Sequence, residues 1–246
     1  MADISYLDDV AATRAGHDYK RALLAALAPT GAHTVLDIGC GPGTDLPALA
    51  ALAGTTVGVD HDPTMVAEAR RRTAALPDVR VLTADAHALP LPDHSVDRAR
   101  ADRVLQHVAD PLRVLTEVRR VLRAGGLAAF AEPDWETLVV DPGDLDTGRT
   151  LARYLRTDVV RNAVVGRQLP RLAEEAGLEV RSATATAPVF RDFTEADRVF
   201  GLTRTAERAV RAGGLTRAEV DQWLTALTAG PFLASVVLSA VVVVKR

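Results

Sequence analysis

The chain has 246 residues, 48% of them apolar, with 29 basic and 32 acidic side chains and a net charge of −3. That is enough apolar material for one large α/β domain, or a domain with a cap, and it argues against general disorder. The charges are mixed along the chain with no basic face, which disfavours nucleic acid or an anionic membrane as the main partner. The single Cys40 excludes an intramolecular disulfide and any multi-cysteine metal site, and fits a reducing cytoplasm.

The N-terminal MADISYLDDVAATR carries early acids and no apolar centre, so it does not read as a secretory signal. Residues 15–28 have a helical pattern (Tyr19, Leu23, Leu24, Leu27) stopped by Pro29. HTVLDI (33–38) is a short buried strand, followed by a helix over 43–53, and TTVGVD (55–60) is a second strand. Asp62 and Pro63 suit the N-cap and first turn of a helix reaching residue 73. VRVLTAD (79–85) and VDRARAD (96–102) read as the third and fourth strands. Asp110-Pro111 opens a helix whose Leu115, Val118 and Leu122 share a face, and Gly125-Gly126 ends it. GLAAFAEP (126–133) is the fifth strand. Strands alternating with helices at this spacing mean a parallel, doubly wound sheet.

The second half is less regular. Residues 134–165 read as an insertion with a turn-rich DPGDLD and a helix over about 147–162. RQLPRLAEEAG is a further helix, and LEVRSATATAPVF a long alternating strand suited to a sheet edge. Residues 194–229 are a helical excursion before FLASVVLSAVVVV (232–244). That run is too short to span a bilayer and rich in β-branched residues, so it reads as a strand covered on both faces.

VLDIGCGPGTD (35–45) sets Gly39, Gly41 and Gly43 between strand and helix, where backbone must approach a ligand or take positive φ. A tight strand-to-helix connection would by itself account for such a turn. The acids around it add weight: Asp60 ends the second strand, where a carboxylate can accept both hydroxyls of a ribose, Asp85 ends the third, and Arg103 follows the fourth. All fall at carboxyl ends of parallel strands, where open α/β sheets bind ligands. Asp60 suits the ribose of a nicotinamide cofactor equally. The missing third glycine of the dinucleotide pattern, and Asp85 ahead of PLPDHSVD, count against that reading.

VLDIGCGPGTD, VGVDHDPTM, LTADAHALPLPDHSVD, RVLQHVADP and LRAGGLAAFAEPD, in this order across roughly residues 33–133, resemble the successive motifs of class I S-adenosylmethionine-dependent methyltransferases. The similarity is greatest to the small-molecule enzymes related to the ubiquinone and menaquinone methyltransferases. The resemblance implies a Rossmann-like sheet of seven strands, mostly parallel, with the last strand antiparallel between the fifth and sixth. It also implies a single domain: a helical lid segment (1–32), the cofactor-binding core (33–133, completed by 166–190 and 231–246), and cap insertions at 134–165 and 191–230 that form an acceptor pocket. The cofactor would be S-adenosyl-L-methionine, leaving as S-adenosyl-L-homocysteine, with no metal. Asp37 and the Gly39–Gly41–Gly43 turn would hold its methionine end and Asp60 its ribose hydroxyls. His61 and Met65 would flank the adenine, whose amino group Asp85 would accept, with Ala86 adding a backbone contact. Arg103 would sit near the methionine moiety, and Tyr6 and Tyr19 belong to a segment that closes over the cofactor in such enzymes.

A sulfonium is already a strong methyl donor, so the chemistry asks mainly for alignment and exclusion of water, with a base only where the acceptor loses a proton. His107, after the fourth strand, is the candidate base, with a packed helix-start histidine as the plainer reading. Asp134 and Trp135, in EPDW after the fifth strand, are candidates to orient and stack on an acceptor, with a loop acid and an edge-of-core tryptophan as the plainer reading, and His17 is a candidate to face the cleft. The arginines of 191–217 suit a solvated face better than a pocket for an acidic substrate, because acids are interleaved with them. Cys40, inside the glycine turn and without a partnered histidine nearby in sequence, is a poor nucleophile. The expected function is methyl transfer to O, N or C of a small, partly apolar or ring-bearing acceptor in secondary metabolism. The alternatives are a non-methylating reaction of the same fold (cyclisation or decarboxylation), a macromolecule methyltransferase, and a non-catalytic cofactor-binding partner.

Overall fold

The structure is a computed structural model and describes Ile4, Asp8 and residues 14–246, with side chains from Asp18 onward besides those two. The chain runs α1 (Arg14–Leu27), β1 (Thr34–Ile38), α2 (Leu46–Ala50), β2 (Thr55–Asp60), α3 (Pro63–Arg72), β3 (Val79–Thr83), β4 (Val96–Asp102), α4 (Pro111–Val121) and β5 (Leu122–Asp141). It continues through α5 (Leu145–Tyr154), a π-helical turn (Leu155–Val159), α6 (Val165–Glu175), β6 (Glu179–Thr186), β7 (Val189–Phe190), α7 (Phe193–Phe200), α8 (Leu202–Arg211), α9 (Arg217–Thr228) and β8 (Leu233–Val244).

The sheet order is β3-β2-β1-β4-β5-β8-β6, with β7 beside β8. Strands β1 to β5 are mutually parallel and β8 is antiparallel to both neighbours, as expected for the last strand. Alternation along β1 covers both faces. Leu36 and Ile38 meet Leu115 and Val118 of α4 and Leu169 of α6 on one side, while Val35 meets Leu46 of α2 and Val66 of α3 on the other. In β8, Val241 and Val243 join the first layer and Val242 packs with Leu23 and Leu27 of α1. The apolar run of β8 is thus buried on both faces because it is central. Asp62 caps α3 by accepting from the Thr64 N–H, and Asp110 caps α4 by accepting from that of Arg113.

Three expectations are corrected. The sheet has eight strands among the described residues, not seven, because Pro188 lacks an N–H and ends β6, so that Val189–Phe190 pairs separately with β8. Residues 134–141, expected to begin a cap, prolong β5. After an irregularity between Asp134 and Val139, Val140 pairs with Ala234 and Asp141 with Leu233. The helix expected over 147–162 is shorter, α5 giving way to the π-helical turn.

Helices α5 and α7–α9 build a second apolar centre. Leu151, Phe190, Phe200, Leu202, Trp223, Leu227 and Phe232 are buried there, apart from the layers on the main sheet and against the far ends of β5 and β8.

Candidate active site

The glycine turn follows β1. Gly39, Gly41 and Gly43 have φ of +66°, +55° and +81°, a region that costs other L-residues roughly 1 kcal/mol or more. Two of the three also lack room: a Cβ on Gly39 would lie 2.4 Å from Val104 Cγ2, and one on Gly43 2.9 Å from the Ala69 Cβ. The turn is fastened by Asp60 at the end of β2, whose Oδ2 accepts from the Gly41 N–H (2.8 Å) and Oδ1 from that of Asp62 (2.9 Å). Each carboxylate oxygen keeps a second lone pair, so Asp60 remains able to accept from a ligand. His61 beside it is almost fully exposed, whereas Met65 is buried. Asp85 is exposed two residues beyond β3, with Ala86 partly buried.

Beneath the turn lies a nearly dry cluster of charges. Arg100 on β4 brings Nε to 3.2 Å from Asp37 and Nη2 to 2.7 Å from Asp45 and 3.3 Å from Asp102. From α1, Lys20 reaches Asp45 at 2.7 Å, and the Tyr19 hydroxyl donates to Asp102 at 3.0 Å. Burial pushes Asp37 up to about 6, against the opposing pull of Arg100. Asp45 is also desolvated, but Arg100 and Lys20 outweigh that and hold it below the ordinary carboxylate range. Burial, with the negative field of Asp37 and Asp60, pushes the Cys40 thiol up, which removes it as a nucleophile near neutral pH.

Residues 103–108, after β4, form the next wall. Arg103 has φ +57°, Val104 touches Gly39, and Gln106 and His107 face a cleft of about 930 Å³ counted out to its open mouth. The loop is gripped from two sides. The buried Glu132 of β5 accepts from the N–H groups of Val104, Leu105 and Gln106. Asn162 donates from Nδ2 to the carbonyls of Leu105 and Val108, both at 2.8 Å, and its own N–H donates to that of Gln106. Burial pushes Glu132 up to about 8 against the pull of those N–H donors. His107 is reached by solvent but enclosed by the cleft; desolvation, and then the charge of Arg103, hold its pKa below the ordinary value.

Apart from Arg204 and Thr205 the rest of the cleft is largely apolar, with Trp135, Leu155, Val160, Phe190, Phe200 and Leu238 in its wall and Tyr19 at one side. Trp135 donates from Nε1 to Gln106 Oε1 at 2.7 Å and meets Phe200 edge to face at 6.1 Å. Of the arginines in 191–217, Arg204 reaches this wall, while Arg217 pairs with Glu207.

Of the two EPDW candidates, only Trp135 lines the cleft. A strand alternates its side chains, so Asp134 shares the opposite face with Glu132, where it is buried in a two-point ion pair with Arg167 of α6. Tyr6 lies outside the described residues, as does the side chain of His17, whose backbone belongs to α1. Glu132, Asn162, Gln106 and the Arg100 cluster were not singled out from the sequence. Glu132 alone offered a signal, as an acid closing the apolar run GLAAFAE. Asn162 offered none.

Residues 36–130, from within β1 to within β5, match the model of the methyltransferase domain family. A 37.1 kDa protein of transposon TN4556 from Streptomyces fradiae is 49% identical over 98% of this chain and 70% of its own length. Methyltransferase GfsG of Streptomyces halstedii is 34% identical over 74% of this chain and 65% of its own. Residues 36–130 are a methyltransferase domain, and the chain is an S-adenosylmethionine-dependent methyltransferase. Geranyl diphosphate methyltransferase, solved in complex with S-adenosylmethionine, shares the fold, with a TM-score of 0.62 and 17% identity over 95% of this chain and 86% of its own. Among the described residues no group of three histidine, cysteine or acidic side chains is arranged to hold a metal ion, and no helix is long and apolar enough to cross a membrane.

Proposed function

We propose that this methyltransferase acts on a small, largely apolar, ring-bearing acceptor bound in the cleft between Trp135, Phe190 and Phe200. The observation that supports this best is that aromatic wall, set opposite the polar groups (Arg103, Gln106, His107) of the loop that also touches Gly39, with Arg204 and Thr205 as the polar groups on the cap side. The acceptor is read as a secondary metabolite, and the enzyme as cytoplasmic. Residues of 142–165 and 191–230 act as the cap over the cleft.

The glycine turn and Asp37 hold the methionine end of the cofactor. Asp60 would take the ribose hydroxyls, Asp85 the adenine amino group and Ala86 an adjacent backbone contact, with His61 and Met65 flanking the ring. When bound, the cofactor supplies a sulfonium methyl group. The protein supplies alignment and a dry surrounding, and near-attack geometry contributes about 7–11 kcal/mol in favourable cases. An acceptor lone pair aligned by the cleft would take that methyl group, and the electron pair of the broken bond would stay on sulfur. Where the acceptor carries a proton, His107 takes it. Its depressed pKa leaves the imidazole neutral at pH 7 and ready to accept. Asp134, tied to Arg167, is read as fixing α6 on β5 and not as a group on the acceptor.

Incubation with trideuteromethyl-labelled S-adenosylmethionine and a panel of phenols, hydroxyquinones and hydroxylated polyketides, read by product mass, tests the reading. A product carrying the label, reduced strongly in His107→Ala and in Trp135→Ala, is expected. Turnover of the panel with no label incorporated would contradict methyl transfer.

A further inference from the structure

An exposed carboxylate on a loop turns freely and makes a poor recognition element unless something fixes it. Asp85 is 67% exposed, yet it is fixed, and by one residue. His87 gives its Oδ1 two contacts, from the backbone N–H at 2.9 Å and from ring Nδ1 at 2.5 Å. The other ring nitrogen decides the tautomer. Nε2 accepts from the Asp110 N–H at 3.1 Å, so it carries no proton, and the ring proton sits on Nδ1 and points at Asp85. Arg113 Nε, donating to the His87 carbonyl at 3.2 Å, holds the same residue from the first turn of α4. The chain Asp110 N–H to His87 to Asp85 therefore anchors the carboxylate to the start of α4. Both protein contacts fall on Oδ1, which leaves Oδ2 for a ligand.

Resting on the cofactor reading above, we infer that His87 is a positioning residue that sets Asp85 to select adenine by its exocyclic amino group. An amino group donates to Oδ2. A 6-oxo purine presents an acceptor there and repels the same oxygen, and a site built around a buried or fixed acceptor discriminates between the two. With Oδ1 released, the carboxylate rotates and the discrimination fades.

The test is calorimetric titration with S-adenosylhomocysteine and with S-inosylhomocysteine, its 6-oxo counterpart, on wild type, His87→Phe and His87→Asn. Wild type is expected to prefer the adenosyl ligand by at least about tenfold, the scale of one hydrogen bond to a charged group. Phenylalanine fills the ring's space without its N–H, so His87→Phe should lose most of that preference by weakening the adenosyl ligand alone. Asparagine sets an amide N–H near the place of Nδ1, so His87→Asn should recover much of it. A merely structural role would weaken both ligands together in His87→Phe and leave their ratio at the wild-type value, which would overturn the inference. A wild type that binds both ligands equally would overturn it along with the adenine role of Asp85. Absence of S-adenosylhomocysteine binding by a folded wild type would instead remove the cofactor reading on which it rests.

Discussion

The glycine-turn edge and the acceptor cleft share the loop 103–108 but are built by opposite means. The first is held by charge and backbone: positive-φ glycines, Asp60 fastening the turn, and Arg100 among three carboxylates. Each of those contacts lies within or beside a strand of regular spacing. The second is held by aromatic packing from segments that arrive from distant parts of the chain, Trp135 from β5, Phe190 from β7 and Phe200 from α7. A fixed cofactor calls for fixed dipoles, whereas an apolar acceptor needs shape, which many side-chain sets can provide.

The comparison breaks if the two halves prove energetically inseparable. Trp223, buried in the second apolar centre, should cost about 3–5 kcal/mol of unfolding free energy when changed to Ala, the usual loss for a buried aromatic. Urea denaturation measures this, and S-adenosylhomocysteine affinity should stay within about threefold of wild type, a difference below 1 kcal/mol. Gly39→Ala should do the reverse. The added Cβ meets Val104 Cγ2 at 2.4 Å on a positive-φ backbone, and the ligand should bind at least about a hundredfold more weakly, or 2.7 kcal/mol. Adding Val104→Ala to the same chain should recover part of that loss, because it removes the clash and leaves the backbone strain.

Tyr19→Phe probes the joint between the halves, since Tyr19 lines the cleft and donates to Asp102. Losing one hydrogen bond to a charged group that keeps Arg100 should cost about 1–2 kcal/mol in denaturation. The smallest effect is a titration. The His107 ring, followed by NMR, should titrate below the ordinary histidine value of about 6.5, and Arg103→Gln should move it upward, since the charge of Arg103 is the second cause of the shift. The sign for stability follows. The unfolded chain protonates this histidine first, so its contribution is present above the ordinary value and is lost as pH falls through it.

The regular half was legible because its determinants are local. Asp62-Pro63 and Asp110-Pro111 start helices wherever they occur before an apolar stripe, and both did so here. The alternating apolar positions of β1 and β8 fixed which residues meet which layer. What could not be read depends on partners far along the chain. The extension of β5 to Asp141 exists because β8 begins at Leu233 beside it, and no pattern within 134–141 announces that pairing. Asn162 grips Leu105 and Val108 from more than fifty residues away. Asp134 was a different kind of miss. Strand alternation separates it from Trp135, but 134–165 reads from the sequence as an insertion, in which both residues could face the acceptor.

The central claim, that the carboxyl edge of β1 to β3 holds S-adenosylmethionine through Asp60, is tested most directly by calorimetric titration of S-adenosylhomocysteine into wild type and Asp60→Ala. One-site binding by wild type, weakened about a hundredfold by the substitution (roughly 2.7 kcal/mol) in a protein whose unfolding midpoint is little changed, is the predicted result. Equal affinity for the two proteins, or no binding by a folded wild type, would contradict it.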